Sequence, residues 1–289
     1  MADARVEPVH APPWRDWIGR EERREDVVTA APLAAWFATL DRDDAPPRAG
    51  DALPPLAHWL YFLPLAKTGE LGPDGHPKRG GFLPPVPLPR RMWAGGRFEF
   101  LQPLRVGEAV TRVSRIVAVS AKRGRSGELV FVTVRHEIAG PRGLALTEEH
   151  DIVYRDLPAA DAPAAQPVAA PTDETFAREI AHDSVLLFRY SALTFNGHRI
   201  HYDRTYATAV EGYPGLVVHG PLIATLLVDL LRQHVPDAAL QTFEFKAIAP
   251  LFDIHRFTVC GKPDGGRRFA LWARDYRGAL AMQARAEIV

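Results

Sequence analysis

The sequence predicts an α+β fold made twice: two antiparallel sheets, each wrapped around one helix and joined into one continuous sheet. Three observations predict it. An Ala/Pro-rich segment splits the 289 residues into halves of similar size. Each half carries one apolar helix candidate followed by alternating strand-like runs. A short phrase also recurs, Arg97-Phe98-Glu99-Phe100 with Pro103-Leu104 and then Thr242-Phe243-Glu244-Phe245 with Pro250-Leu251.

In chain order, Thr29 can cap a helix over roughly 30–41, with Pro32 tolerated in its first turn. Sixteen of the 26 prolines fall in the first 103 residues, so turns and extended connections should dominate that third. Strand runs follow at 109–119, 128–138 and 144–155, with Gly-bearing turns such as Gly124 to Gly127. Residues 158–171 hold 11 Ala or Pro in 14 positions, the composition of an exposed, semi-rigid linker. Beyond it Leu222, Ile223, Leu226, Leu227, Leu230 and Leu231 recur at helical spacing over about 220–234, with Pro221 near the start. Runs at 254–261, 267–275 and 279–289 then match the first set in order, and Gly265-Gly266 marks a turn. The shared order around a repeated phrase implies an internal duplication. One helix wrapped by an antiparallel sheet, made twice, is a double hot-dog. Its units span 1–157 and 176–289, with a linker at 158–175, and the two helices should lie side by side on the concave face.

Composition narrows the function. Hydrophobic residues make up 47% and charged residues 24%, which excludes a disordered or fibrous chain. Thirty-five basic residues balance thirty-five acidic ones, so a nucleic-acid partner is not expected. Cys260 stands alone and can form no internal disulfide, which suits a reducing, cytoplasmic compartment. The charged N-terminus lacks the apolar core of a signal peptide. The longest apolar stretch, Pro221 to Leu231, is too short to cross a bilayer and is broken by Thr225 and Asp229, so no membrane partner is expected.

Chemistry concentrates just ahead of the second helix. Asn196, His198, Arg199, His201, Tyr202 and Asp203 fall within eight positions, a polar cluster suited to a pocket wall. Asn196, His201 five positions later, and His219-Gly220 opening a helix resemble the motif of the MaoC-like, (R)-specific enoyl-CoA hydratase superfamily. Within it the chain is similar to the 3-hydroxyacyl-thioester dehydratase type 2 branch. That likeness rests on Asp16-Trp-Ile-Gly19, His58-Trp-Leu-Tyr-Phe-Leu-Pro64 and Leu88-Pro-Arg-Arg-Met-Trp-Ala-Gly-Gly96.

The resemblance implies a hydro-lyase that adds water reversibly to an α,β-unsaturated acyl-CoA, without metal or redox cofactor. The acyl group expected is a branched dicarboxylic one of the mesaconyl-C4-CoA or itaconyl-CoA type. It also implies one active unit, the second, while the first shapes the acyl pocket with a wall at 82–97. The sequence departs from the motif at three places. Asn196 stands where an acid is expected, His198 where an Asn is usual and Arg199 where a Pro is usual. Asn cannot exchange a proton near neutral pH, so the two-residue acid/base scheme is open.

Hydration needs a base for the water, a donor for the enolate oxygen and an acid for the α-carbon. His201 is the natural base, Asn196 can orient the water, and the Gly220 N–H can hold the thioester oxygen. His201 could return its own proton, with Asp203 or Glu211 as fallback acids. Arg199, with His198, is expected to pair with a substrate carboxylate. Tyr202 and His219 are expected beside the substrate, although capping or packing against the helix start is the reading favoured over a catalytic role for His219. His198-x-x-His201 has no Cys or carboxylate at ligand spacing and does not read as a metal site.

Residues 78–125 hold 11 Lys or Arg against Glu99 and Glu108. Either this is an ordinary basic face or Arg90 and Arg91 beside Trp93 receive the phosphates of CoA. Two rival functions stay open: a dehydratase working on acyl-carrier-protein substrates, and a non-catalytic acyl-CoA-binding subunit. A homodimer of the two-unit chain is compatible with either.

Overall fold

The computed structural model describes residues 14–124, 127–156, 166–181, 183–236 and 238–289. In the first unit β1 (Glu21–Val27) and α1 (Ala30–Thr39) precede four strands, β2 (Arg90–Phe100), β3 (Ala109–Gly124), β4 (Gly127–Gly140) and β5 (Gly143–Arg155). The second unit repeats the order with β6 (Phe176–Ile180), α2 (Ser184–Leu193), α3 (Gly220–His234), β7 (Leu240–Ala247), β8 (Phe257–Pro263), β9 (Arg268–Asp275) and β10 (Leu280–Ile288). All ten strands form one antiparallel sheet, ordered β1-β3-β4-β5-β2-β7-β10-β9-β8-β6. Each half therefore runs outward from the centre in the same order, and the fold is the double hot-dog that the repeat predicts.

The repeated phrase explains how the halves join. Strands β2 and β7 pair with each other, and Phe98 faces Phe243, the same position of the phrase in each unit, with ring centroids 5.8 Å apart. A local two-fold relation thus passes between these two rings. At Gly95 the approach leaves no room for a side chain: a Cβ there would lie 2.7 Å from the Phe245 carbonyl oxygen.

The helices differ from expectation in one respect. α3 forms over Gly220–His234 and is buried continuously from Leu222 to Leu231, packed on β6, β8, β9 and β10. The helix expected at 30–41 ends at Thr39, and Thr29 makes no capping side-chain bond. It packs on α2, a helix that sequence patterning missed, and it is the counterpart of α2 rather than of α3. Between α1 and β2 the described chain forms only short 3-10 turns at Ala57–Leu60 and Thr68–Glu70. Prolines spaced through this segment remove the N–H groups that a longer helix would need. The first unit consequently lacks a long helix on the face that α3 covers in the second.

Asp229 interrupts the apolar run of α3 without being exposed. Its carboxylate accepts from Arg42 Nη1 at 2.7 Å and from Arg178 Nη1 at 2.9 Å, so a buried charge on α3 is tied to the first unit. The first part of the Ala/Pro segment, 158–165, lies outside the described residues. Its end is exposed at 166–169 and 171–173 but anchored between them: Ala169 bridges to Ala279, and Ala170 is buried beside Cys260, Trp272 and Leu280.

Candidate active site

A cavity of about 1700 Å³ lies against the first unit's open sheet face, and both units line it. From the second unit come Asn196, His201 and Gly220, and from the first His76, Arg91 and Trp93.

His201 closes a 3-10 turn, Arg199–His201, and its ring is buried. The turn is pinned to the strand-like segment before α3, because Val217 N–H donates to the Ile200 carbonyl at 2.9 Å. His201 Nδ1 in turn lies 2.7 Å from the Val217 carbonyl oxygen. A carbonyl can only accept, so Nδ1 carries the hydrogen and Nε2 keeps its lone pair. Burial pushes the His201 pKa down to about 4, with the Val217 carbonyl opposing that shift. The ring is therefore neutral at neutral pH, and Nε2 is a base.

The groups around it are equally constrained. Asn196 Oδ1 accepts the His198 N–H at 3.0 Å, so its amide NH₂ is the part left to face the cavity. Gly220 is the first residue of α3 and lines the cavity, and nothing lies within 4 Å of where its Cβ would be. An N–H in the first helical turn has no acceptor inside the helix, and Pro221 contributes none, so the Gly220 N–H is a free donor at the positive end of a buried helix. Tyr202 lines the cavity and donates its hydroxyl to the Gly197 carbonyl at 2.9 Å. His219 is fully buried behind His201, stacked at 3.7 Å, with Nε2 2.8 Å from Ser191 Oγ. It supports the His201 ring and is absent from the cavity wall, which differs from the expected substrate contact.

Several expected substrate contacts are occupied elsewhere. Arg199 turns away from the cavity to Asp203, with Nη2 2.6 Å and Nε 3.0 Å from Oδ2, and lies over the Tyr206 ring. Asp203 is thereby spent as a fallback acid. Glu211 is bound by Arg90 Nε at 3.1 Å, and the Arg90 guanidinium covers Tyr213, so neither reaches the cavity. Part of the basic surplus of 78–125 is taken up in ion pairs: besides Arg90, Arg97 holds Glu149 and Asp151, and Arg115 holds Glu21. Arg91, like Arg79 and Arg112, lines the cavity and forms no ion pair among the described residues. Trp93 packs beside it on the wall, its ring 3.9 Å from His150.

Sequence reasoning missed two sets of groups. A loop of the first unit reaches across to the second unit's motif, where Arg199 N–H donates to the Asp74 carbonyl at 2.9 Å. Gly75 is pressed so closely on Gly197 that a Cβ would sit 1.9 Å from the Gly197 oxygen. This loop places His76 on the cavity wall, its ring 4.0 Å from His198 and its Nδ1 3.1 Å from Asp74 Oδ2. Nothing local in the sequence signals that contact. The second set is a buried network on the first sheet. Glu148 Oε2 accepts from Trp59 Nε1 and pairs with His58 Nε2, each at 3.0 Å. Burial alone would raise the Glu148 pKa, but His150 and His58 outweigh it and hold the carboxyl well below its usual range. The motif His58-Trp59 is explained by this network, which fixes Trp59 against Trp93.

Two triads, Asp74/His76/His198 and His136/Glu148/His150, bring one ligand-type atom each within 4.8 Å of one another. Within them His76 Nδ1 lies against Asp74, and Glu148 Oε2 holds His58 and Trp59.

Known proteins share the family and the fold. Residues 56–253 match the hydroxyacyl-thioester dehydratase type 2 family. The chain is 49% identical over 276 residues to a mesaconyl-C(4)-CoA hydratase of Chloroflexus aurantiacus, covering 95% of this chain and 98% of that one. Its fold is similar to a MaoC-like dehydratase, with a TM-score of 0.69 at 14% identity over 94% of this chain and 98% of that one. A Mycobacterium tuberculosis protein described as a double hotdog fold superposes with a TM-score of 0.56 at 13% identity, over 94% and 96% of the two chains. The extent of the family match and the near full-length relative show that the chain belongs to the hydroxyacyl-thioester dehydratase type 2 family.

Proposed function

We propose that the protein hydrates an α,β-unsaturated acyl-CoA whose acyl group is a branched dicarboxylic one, such as mesaconyl-C4-CoA. The observation that carries this reading is the tautomer of His201: with Nδ1–H held by Val217, Nε2 faces the cavity as a base. The thioester oxygen accepts from the Gly220 N–H, where the helix dipole stabilises the developing enolate. The Asn196 NH₂ donates to the attacking water while His201 Nε2 removes its proton. The identity to the Chloroflexus hydratase supports the choice of acyl group.

With Arg199 engaged by Asp203, the free carboxylate needs another partner. Arg91, one of the cavity-wall guanidiniums without an ion-pair partner among the described residues, is the candidate: its positive charge is among the influences, after burial and the neighbouring rings, that hold the His198 pKa far down. Loss of the conjugated thioester absorbance, followed with mesaconyl-C4-CoA and crotonyl-CoA, tests both points. Arg91→Gln should lower kcat/KM for the carboxylated substrate tenfold or more, and for crotonyl-CoA much less. An equal fall for both would assign Arg91 to the CoA moiety instead. No turnover of any enoyl-CoA, with turnover of a carrier-bound crotonyl group, would replace CoA by a carrier protein.

A further inference from the structure

We propose that His76, oriented by Asp74, is a second acid/base residue of the reaction, supplied by the first unit to complete the site of the second. The inference rests on the hydratase reading above. It starts from a deficit: Asn196 cannot release a proton, and Asp203 and Glu211 are bound by Arg199 and Arg90. The loop of residues 72–77 makes good that deficit. It is fixed by the Arg199 N–H to Asp74 carbonyl bond and by the packing of Gly75 on Gly197. Asp74 Oδ2 can only accept from His76 Nδ1, so the other nitrogen, Nε2, is the one that exchanges a proton. His198 neighbours both, its ring 4.0 Å from that of His76 and 5.3 Å from that of His201. A double bond bound against this cluster of rings meets a base at His201 and an acid at His76.

The step balances as follows. His201 Nε2 takes one proton from water as the oxygen bonds to the β-carbon, and the π electrons pass to the thioester as an enolate. The His76 imidazolium, paired with the Asp74 carboxylate, gives its Nε2 proton to the α-carbon. The proton on His201 then returns to His76 through His198 or solvent. In dehydration the roles reverse, and His76 removes the α-proton. Burial lowers the His76 pKa; of the groups facing it, Asp74 favours the charged form, and His198, Arg91 and Arg79 oppose it.

The test compares His76→Gln, His76→Gly, Asp74→Asn and His201→Gln in the full-length protein with the same enoyl-CoA. For His76→Gln, kcat should fall about 10²–10⁴-fold with KM within about threefold, and the descending limb of the kcat–pH profile should vanish. Imidazole added to the buffer should restore part of the His76→Gly activity, which a purely structural histidine would not allow. Asp74→Asn should lower kcat about tenfold or more. If His76→Gln keeps kcat within threefold while His201→Gln is inactive, the His76 proposal is wrong and the hydratase site stands. If both keep full activity, the site itself is misassigned. Activity abolished by a chelator and restored by a divalent cation would overturn the proton-transfer role in favour of a metal held by Asp74, His76 and His198.

Discussion

His201 shows how much one backbone carbonyl can decide. The Val217 oxygen fixes the hydrogen on Nδ1, burial keeps the ring neutral, and the base is thereby set before substrate arrives. His201→Gln keeps the approximate shape and removes the base, so its kcat should fall about 10²–10⁴-fold while thioester binding persists. Asn196 and His201 are legible from sequence because their five-residue spacing, with His219-Gly220 opening a helix beyond, resembles the family motif. Arg199 was legible as a cation but not as a spent one. Its partner Asp203 stands four residues on, where a turn or helix brings side chains together, and that spacing was the available clue. Arg199→Ala should accordingly leave the ratio of rates on mesaconyl-C4-CoA and crotonyl-CoA within about twofold of the parent, in steady-state assays with both. The pair is partly exposed and screened by solvent, so its loss should change the melting temperature little.

At the scale of elements, α3 was legible because one side of it and then the whole of it is apolar, and Gly220 and Pro221 mark its start. The edge strand β1 was not, because Glu21–Val27 reads as a run of charges and alternates only between half-buried and exposed. It pairs with β3 through its backbone, which side-chain patterning does not report. The loop of residues 72–77 was illegible for a different reason: its value lies in a contact with the other unit. Gly75 has a φ of +86° and no space for a Cβ against Gly197. Gly75→Ala should therefore push the loop off the motif and reduce kcat tenfold or more, with a small change in melting temperature because the loop lies outside the core. Wild-type kcat in this variant would show that the loop has no part in catalysis.

For the whole molecule, the duplication was legible from a four-residue phrase, and the structure shows why that phrase repeats: its two copies are the strands that join the sheets. The loss of a long helix from the first unit was not legible beyond the proline count, yet it opens the face that the cavity occupies. Burial also sets the acid response of the fold. His136, His198, His201 and His219 are all held below their ordinary value of 6.5, chiefly by desolvation. The unfolded chain binds these protons below pH 6.5 and the folded chain does not, so stability is full above that pH and falls as pH drops through and below it. Glu148, held low in the fold, adds a further loss once the unfolded carboxyl protonates near 4.5. Melting temperature should be clearly lower at pH 5.5 than at pH 7.5, and a flat profile would contradict this. The shared cavity itself is tested by one assay, hydration of mesaconyl-C4-CoA by the parent and by His201→Gln at matched, verified folding. Turnover by the parent with a loss of at least about 10²-fold in the variant is the expected result. Equal turnover by both, or none by the parent with any enoyl thioester, would contradict it.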